Sequence, residues 1–494
     1  KKKSPRLGET IARRMAASEG AASGAAPRVV SVPDAGHALV EERPRDVADA
    51  LAAAVRHLAA KPSSMDRPAP PVSAPAVRLA RVWAEALEVA LKEPVMLSRG
   101  DAMPRRSGLL VVMQAGAEEP HMGAAKLVGV GEINPLPRFH KESLAEAGAQ
   151  LNQVLQAWAT DPPTIPLDLL RLDGAMSRWL AEHCSCLPEP LLPSVRCGLE
   201  MAVLHLLGRV TQTPILSGVA ANARGVGCAS CIGINSLIAR EEELRGPSDG
   251  AVVVKVKVGR EPTQDSQRIN TVADILRARR GPDARLRLDA NQAWDIDEAA
   301  EFLKGLSDST VAMTEYLEEP VRWNALGPEA FLQDWETLAA RTERRVRFAL
   351  DESLTEQDLG THHVDQCGAS VAAVVLKPAL QGMEQTMSLA AWAIARGSRP
   401  VVSSAFESGV ALAHFAILAA AMTPPLWQTE DTVSACHGLG TFARLAEDVL
   451  DPPFEDLVLE RRPCGGWHVD ALRCQEALDR TADALVAMQG PTPR

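Results

Sequence analysis

Charged side chains recur at regular intervals in the second half of the sequence, and their types suit proton transfer beside a metal ion. Successive ones end short apolar runs and are about 30 residues apart, the length of one βα repeat. They are Lys257 in KVKVG, Asp289 in RLDANQAW, Glu318 in YLEEP, Asp351 in ALDES and Lys377 in VLKPAL. Lys255 lies two residues before Lys257 and therefore points to the same face of its strand.

The three carboxylates predict a metal site. Asp289, Glu318 and Asp351 would form a set of hard oxygen ligands, which suits Mg²⁺, with Mn²⁺ as an alternative. A single carboxylate of this kind is more often a solvated loop residue. Three of them, each ending an apolar run in successive repeats, favour the metal.

Lysines flank the carboxylates in the chain. Lys257 ends the strand before them and Lys377 the strand after them, so the two would face each other across a closed barrel. A lysine beside a metal ion and other cations has a lowered pKa and can act as a base. For Lys255 and Lys257 the alternative is protection of a sheet edge, but a barrel strand has no free edge.

The strands and helices predicted around these residues indicate a barrel. From about residue 225, apolar runs such as AVVVKVKV, RLRLDA and VAAVVLKP alternate with helix-like stretches. This alternation predicts βαβ units and a parallel sheet. Six or seven units indicate a TIM-type (β/α)7β barrel over residues 216–444, with the active site at the carboxyl ends of its strands.

The preceding chain divides into three parts. Residues 77–140 hold strand-like runs (VRLARVW, ALEVAL, SGLLVVM, KLVGVGEI) that predict a small antiparallel sheet, and residues 141–208 are largely helical. Residues 61–76 are rich in Pro, Ser and Ala and predict a linker.

Residues 1–60 predict a strand, a loop with His37 and a helix, and resemble the carboxyl-terminal end of an α/β-hydrolase. The G-x-S-x-G nucleophile motif of that fold is absent from the sequence, so we expect His37 to be inactive here. The alternative is an Ala-rich leader with no such ancestry.

Composition excludes several classes of function. The net charge of −11 argues against a general nucleic-acid binder. No run is long and apolar enough to span a membrane, so we expect no membrane insertion. The nine cysteines are scattered, which is typical of reduced thiols. Cys228 and Cys231 form a lone C-x-x-C with nothing to complete a metal site.

Residues 77–480 resemble the enolase superfamily, in its muconate-lactonizing subgroup. The motifs that carry the resemblance are GVGEINPLP, SVRCGLEMA, KVKVG, LDANQAW, YLEEP, LDES, LKPALQG, SSAFESG and HGLGTF. As a set they are most similar to the o-succinylbenzoate synthase family, and HGLGTFARLAEDV is similar to plant and cyanobacterial members. The resemblance implies an α+β capping domain over residues 77–215, completed by residues 445–490.

The resemblance also implies a reaction. It is the Mg²⁺-dependent loss of water from 2-succinyl-6-hydroxy-2,4-cyclohexadiene-1-carboxylate in phylloquinone and menaquinone biosynthesis. Lys257 would remove the α-proton and return it to the leaving hydroxyl, while Lys377 would lie across the ring and Lys255 would assist Lys257. Asp289, Glu318 and Asp351 would bind the metal, and Asn291 would support a ligand.

Substrate selection is expected from other positions. A loop at Arg105–Gly108, with Arg106, would cover the succinyl chain, and Ser403 and Ser404 would donate to its carboxylate. Both serines have an equally good interpretation as turn residues.

Two other functions remain open from the sequence. One is an N-acylamino acid racemase or dipeptide epimerase of the same superfamily, although the D-x-D motif typical of dipeptide epimerases does not follow SSAFESG. The other is a scaffold without activity. The resemblance to plant and algal fusions implies a plastid location, with the cytoplasm as the alternative. It also implies association with other quinone-pathway enzymes, including a hydrolase-fold lyase.

Overall fold

The structure is a computed structural model that describes most of the chain from residue 75 onward. The described ranges are 75–96, 102–116, 127–220, 229–238, 251–343, 345–355, 359–366, 371–423, 436–461 and 466–488. They belong to a compact unit that begins at Ser73. The predicted hydrolase-like segment with His37, nearly all of the predicted linker and Cys228 lie outside the described residues.

The first layer is a four-stranded antiparallel sheet in the order β3-β2-β1-β4. Its strands are β1 (Ala76–Met96), β2 (Ala102–Ala115), β3 (Val128–Ile133) and β4 (Thr164–Pro166). The runs VRLARVW and ALEVAL, predicted as separate strands, form the single 21-residue strand β1. The predicted loop at residues 105–108 is wrong, because these residues lie within β2 and pair with residues 87–90 of β1.

Helices cover one face of this sheet. They are α1 (Leu144–Thr160), α2 (Ala175–His183), α3 (Pro193–Thr211) and α4 (Ile215–Ala220), with a 3₁₀ helix at Leu167–Arg171. Helix α3 lies directly on β3, because a Cβ on Gly131 would come within 2.0 Å of the Gly198 carbonyl oxygen. The glycines of GVGEI and RCGLEMA therefore permit a close helix–strand approach. We call this layer the cap.

The second layer is a parallel sheet whose seven strands follow chain order from β6 to β12. The strands are β6 (Ser236–Ile238), β7 (Val253–Lys257), β8 (Arg285–Asp289), β9 (Thr314–Glu318), β10 (Phe348–Leu350), β11 (Val371–Leu376) and β12 (Arg399–Val402).

Two short strands close this sheet into a ring. Strand β13 (Cys436–His437) leads into Gly438, which bridges Ser403 just after β12. On its other side β13 pairs in parallel with β5 (Cys231–Ile234), which continues through Asn235 into β6. The closed parallel sheet confirms the predicted TIM-type barrel.

Helices surround the barrel between its strands. They are α5 (Pro262–Arg280), α6 (Ile296–Gly305), α7 (Asp308–Met313), α8 (Pro328–Arg341), α9 (Glu352–Thr355), α10 (Thr361–Gln366), α11 (Pro378–Gln381), α12 (Met383–Ala395) and α13 (Gly409–Met422). Every residue of α13 is buried, as expected for a helix that is apolar all round.

The last described segment returns to both layers. It contains a 3₁₀ helix (Gly440–Arg444), α14 (Phe454–Leu457), β14 (Val458–Arg461), β15 (Gly466–Asp470) and α15 (Ala471–Met488). Strand β15 pairs with β5 of the barrel, and α15 packs against α13 and against β3 of the cap. Within the described residues, no helix is both long and apolar enough to cross a bilayer.

Candidate active site

The charged residues singled out in the sequence meet at one edge of the barrel. Lys257, Asp289 and Glu318 end β7, β8 and β9, and the strand register pairs Lys257 with Asp289 and Asp289 with Glu318. Asp351 follows β10, and Lys377 follows β11. Because parallel strands present their carboxyl ends together, all five lie at the mouth where TIM-barrel enzymes carry their active sites.

Lys255 joins two of the carboxylates. Its Nζ lies 2.7 and 2.9 Å from the two carboxylate oxygens of Glu318, and 2.9 Å from Oδ2 of Asp289. Both carboxylates are buried. A buried carboxylate requires a paired positive charge, and Lys255 supplies it.

Lys377 forms the corresponding pair on the other side of the mouth. Its Nζ lies 2.5 Å from Oδ1 and 2.6 Å from Oδ2 of Asp351. The ring of Phe139, which the cap contributes, lies 4.9 Å from the same ammonium group.

Crowding of the acids shifts several pKa values. Burial, together with the nearby charges of Asp289 and Asp351, raises the pKa of Glu318 well above its ordinary value, against the lowering effect of Lys255. Burial by itself lowers the pKa of Lys255, but Asp289 and Glu318 outweigh it and hold that pKa well above the usual range. Asp351 has the same net effect on the buried Lys377, whose pKa is raised. The sequence predicted a lowered lysine pKa because it assumed a nearby cation. At Lys255 and Lys377 the neighbouring carboxylates act in the opposite direction.

Lys257 contacts Asn291 and is the most exposed of the three lysines. Its Nζ lies 2.7 Å from Oδ1 of Asn291. The Asn291 amide donates to Glu352 at 2.5 Å, and the Asn291 main-chain N–H donates to Asp289 at 3.0 Å. Asn291 thus links the proposed base, through its side chain, to a proposed metal ligand, through its main-chain N–H.

Three residues beside the site have left-handed backbone conformations although none is glycine. The φ angles are 46° at Asn291, 56° at Gln292 and 44° at Glu319. Such conformations are unfavourable for most residues and cluster at functional sites. Here they turn the chain directly after β8 and β9.

Sequence reasoning missed Glu319, which supports the loop that carries Asp351. Its Oε1 accepts hydrogen bonds from the main-chain N–H of Asp351 (2.7 Å) and from N–H and Oγ of Ser353 (3.1 and 2.6 Å). Burial and the neighbouring Glu352 raise the pKa of Glu319 to about 8. The signal was the acidic doublet in YLEEP, of which only the first residue was considered.

The metal prediction meets a mixed result. Among the described side chains, no group of three or more His, Cys, Asp and Glu is arranged to hold a metal ion. The donor chemistry nevertheless suits Mg²⁺, because Asp289, Glu318 and Asp351 are buried carboxylates on neighbouring strands. The ammonium groups of Lys255 and Lys377 contact these oxygens. Each carboxylate has about four lone-pair sites, so it can bind a cation and keep its lysine contact.

Arg106 does not have the predicted position over the substrate. It is 1% exposed within β2, and its guanidinium donates to the carbonyl oxygens of Asn134 (2.7 Å), Phe406 (3.1 Å) and Pro135 (3.4 Å). The side chain therefore fastens the cap to the loop after β12, and the predicted substrate contact is wrong.

Glu132 makes a second attachment between the cap and that part of the barrel. Its carboxylate accepts hydrogen bonds from the main-chain N–H groups of Ser408 (3.0 Å) and Ala411 (3.1 Å) at the start of α13. A carboxylate at a helix amino terminus is favoured by the helix dipole.

Ser403 and Ser404 lie at the end of β12, next to β13. The Ser404 hydroxyl donates to the Gly438 carbonyl at 3.0 Å and shares a hydrogen bond of 2.6 Å with Thr441. Ser403 lies so close to Gly438 that an added Cβ there would be 2.8 Å from its Oγ. Both serines thus serve the closure of the barrel. The Ser403 N–H donates to the carbonyl oxygen of Leu376 at 2.8 Å, directly before Lys377. The predicted contact of the two serines with the succinyl carboxylate stays a prediction.

Two family profiles match the chain. The family described as "Enolase C-terminal domain-like" matches residues 240–457, and "MenC, N-terminal domain" matches residues 77–167. The first covers the barrel from before β7 and the second covers the cap sheet.

Named relatives agree with these profiles. The chain is 31% identical to o-succinylbenzoate synthase of Klebsiella pneumoniae over 350 residues, which are 70% of this chain and 86% of that protein. It is 28% identical to "Protein PHYLLO, chloroplastic" of Arabidopsis thaliana over 375 residues, 69% of this chain but only 20% of that longer protein.

Solved structures share the fold. A dipeptide epimerase from Enterococcus faecalis, complexed with Mg and the dipeptide L-Leu-L-Tyr, matches with a TM-score of 0.57 at 18% identity, over 80% of this chain and 97% of that one. A mandelate racemase/muconate lactonizing protein from Herpetosiphon aurantiacus matches with a TM-score of 0.57 at 19% identity, over 79% and 95%. At these identities the likeness shows the fold alone.

Proposed function

This chain belongs to the o-succinylbenzoate synthase family of the enolase superfamily, and we propose that it converts 2-succinyl-6-hydroxy-2,4-cyclohexadiene-1-carboxylate to o-succinylbenzoate by loss of water. The observation that carries the proposal is the arrangement at the barrel mouth, where Lys257 at the end of β7 and Lys377 just after β11 lie on either side of three buried carboxylates. The identity to the Klebsiella pneumoniae synthase over most of that protein supports it.

Asp289, Glu318 and Asp351 would hold the divalent cation. Mg²⁺ there would supply positive charge beside the substrate carboxylate, where negative charge develops as the α-proton leaves. Burial and the charges of Asp289 and Asp351 raise the pKa of Glu318, and a divalent cation held there would favour its ionised form. Mn²⁺ has the same preference for oxygen ligands.

Lys257 would act as the base. Its amine would take the α-proton of the ring, and the resulting ammonium would give a proton to the hydroxyl that leaves from the same face. Asn291 accepts from Lys257 at 2.7 Å and holds it at the rim. Acid–base help of this type contributes about 10²–10⁴-fold in rate.

Lys377 and Lys255 would supply charge and not transfer protons. Lys377 would place its ammonium against the conjugated ring and offset the negative charge that spreads over it. Lys255, held by Glu318 and Asp289, would adjust the charge next to Lys257 and contact the substrate carboxylate.

The proposed setting follows the relatives. The reaction belongs to menaquinone and phylloquinone biosynthesis, and the chloroplastic relative from Arabidopsis thaliana favours a plastid. We propose association with other enzymes of that pathway, in the same chain or a separate one.

The test is turnover of the purified protein with the diene substrate, followed as loss of diene absorbance. We expect turnover with Mg²⁺, none after EDTA, and recovery when Mg²⁺ is restored. Lys257→Ala should lower kcat by at least about 10²-fold. Two lysines on opposite faces would also allow racemisation, so N-succinyl amino acids are tested in parallel. Racemisation without dehydration would replace this proposal with the racemase.

A further inference from the structure

A turn at residues 136–140, which follows β3, brings the cap to the catalytic cluster. Its ends are joined by hydrogen bonds from the N–H groups of Phe139 (3.2 Å) and His140 (3.0 Å) to the Leu136 carbonyl. Arg138 within it has a left-handed φ of 67° although it is not glycine. The turn is therefore a defined structure in a conformation that needs support from its neighbours.

His140 fastens this turn to the barrel. The Leu136 N–H donates to its Nδ1 at 2.9 Å, so Nδ1 carries no proton. In neutral histidine Nε2 must then be the donor, and it lies 3.2 Å from the carbonyl oxygen of Ala379. Ala379 is two residues after Lys377, so the attachment fixes the main chain beside that lysine.

Phe139, the neighbour of His140, contacts the lysine itself. The Lys377 ammonium lies 4.9 Å from the centre of the Phe139 ring, within the roughly 6 Å range of a cation–π interaction. The carboxylate of Asp351 binds the same ammonium at 2.5 Å. Lys377 is thus held by an anion from the barrel and by an aromatic face from the cap.

We propose that Phe139 is a positioning residue for Lys377, holding its ammonium through the ring face in the place from which it meets the substrate ring. This inference rests on the proposed function, in which Lys377 opposes Lys257. It makes the cap a participant in catalysis, because the lysine is in place only when the turn is seated.

The distinguishing test keeps the shape of the side chain and changes only the charge distribution of its ring. Phe139 is replaced by 4-fluoro-, 3,5-difluoro- and 3,4,5-trifluorophenylalanine, which progressively weaken the negative ring face. We expect kcat to fall stepwise by about tenfold in total, with KM within about twofold. Phe139→Tyr keeps the ring face and should retain kcat within about threefold, whereas Phe139→Leu should fall with the trifluoro variant.

The matched control is the same series at Phe331, a buried ring that packs against Trp335 on α8. The kcat of the Phe331 variants should not change as fluorine atoms are added to the ring. Equal kcat across the Phe139 series, or parallel losses in both series, would overturn the positioning role.

A second readout does not need turnover. Acetylation of the Lys377 amine by acetic anhydride is measured by peptide mass spectrometry, relative to the exposed Lys304. We expect faster labelling of Lys377 in Phe139→Leu than in the original protein, and unchanged labelling overturns the inference. If labelling responds while the protein does not dehydrate the diene, the proposed function fails and the lysine–ring contact stands.

Discussion

The ammonium of Lys255 lies 2.7 Å from Oε1 of Glu318 and 2.9 Å from Oδ2 of Asp289. A single ammonium group therefore contacts two of the three carboxylates that we propose as metal ligands. Two cations this close repel each other strongly, so the lysine and a metal ion compete for the same oxygens.

We predict that Lys255→Met tightens Mg²⁺ binding by roughly tenfold or more, because it removes that competing charge. The variant should also lose stability in EDTA, since the buried carboxylates of Glu318 and Asp289 lose the ammonium that pairs with them. Isothermal titration with Mg²⁺ and melting with and without EDTA measure the two effects. Lys304→Met, at an exposed helix position, is the control, and equal Mg²⁺ affinity in both variants would contradict the prediction.

Asn291 offers a test of how Lys257 is held. We predict that Asn291→Gly lowers kcat/KM by about 10–100-fold, the range found for residues that orient metal ligands. Glycine removes the contacts with Lys257 and Glu352 but accepts the φ of 46°, so the backbone turn is retained. Steady-state kinetics and the melting temperature are compared, and full activity in a stable variant would show that the amide is dispensable.

Arg106 is predicted to matter for stability and not for substrate affinity. Lysine cannot donate to three carbonyl groups from one planar group, so Arg106→Lys should cost about 2–4 kcal/mol in free energy of unfolding. Urea unfolding and KM are measured. Arg105→Lys is the adjacent control, because Arg105 is exposed and forms a surface ion pair with Glu88. A rise in KM without loss of stability would contradict this prediction and support the contact between Arg106 and the substrate that the sequence predicted.

Glu407 is predicted to make stability depend on pH. Burial, opposed by Arg106, raises its pKa to about 7. The folded state therefore favours the protonated form, so this contribution to stability is complete below about pH 4.5 and is lost as pH rises through about 7, by up to about 3 kcal/mol.

Glu407→Gln should abolish this loss. Its free energy of unfolding relative to the original protein should increase between about pH 5 and about pH 8. Urea unfolding at both pH values measures this difference in free energy. The contributions of the other acids are the same in both proteins and cancel. Glu93→Gln, at an exposed position of β1, should show no such change.

The barrel could be predicted because its strands are short apolar runs separated by helical stretches. The edge position of Lys257, Asp289 and Glu318 followed from the same pattern, since each ends its strand. The closure of the barrel could not be predicted, because β13 is only two residues long and its partner β5 lies far earlier in the chain. No local pattern reports such a pairing.

Residues that act through distant contacts were also beyond the sequence. Arg105 and Arg106 are adjacent arginines on β2, and only the packing of the cap on the barrel makes one exposed and the other buried. Glu319 should face away from Glu318 in a regular strand, but its left-handed backbone turns it toward Asp351. Glu132 belongs to a recognised motif, yet its partners lie 276 and 279 residues later.

Helix α15 packs on both α13 and the cap strand β3, which bears on how the protein is made. A ribosome finishes all barrel strands before it reaches residues 471–488. Until then the nascent chain exposes the apolar surface of α13 and β3 that this helix covers in the folded protein. We therefore expect a chaperone to shield this apolar surface late in synthesis, before residues 471–488 emerge from the ribosome.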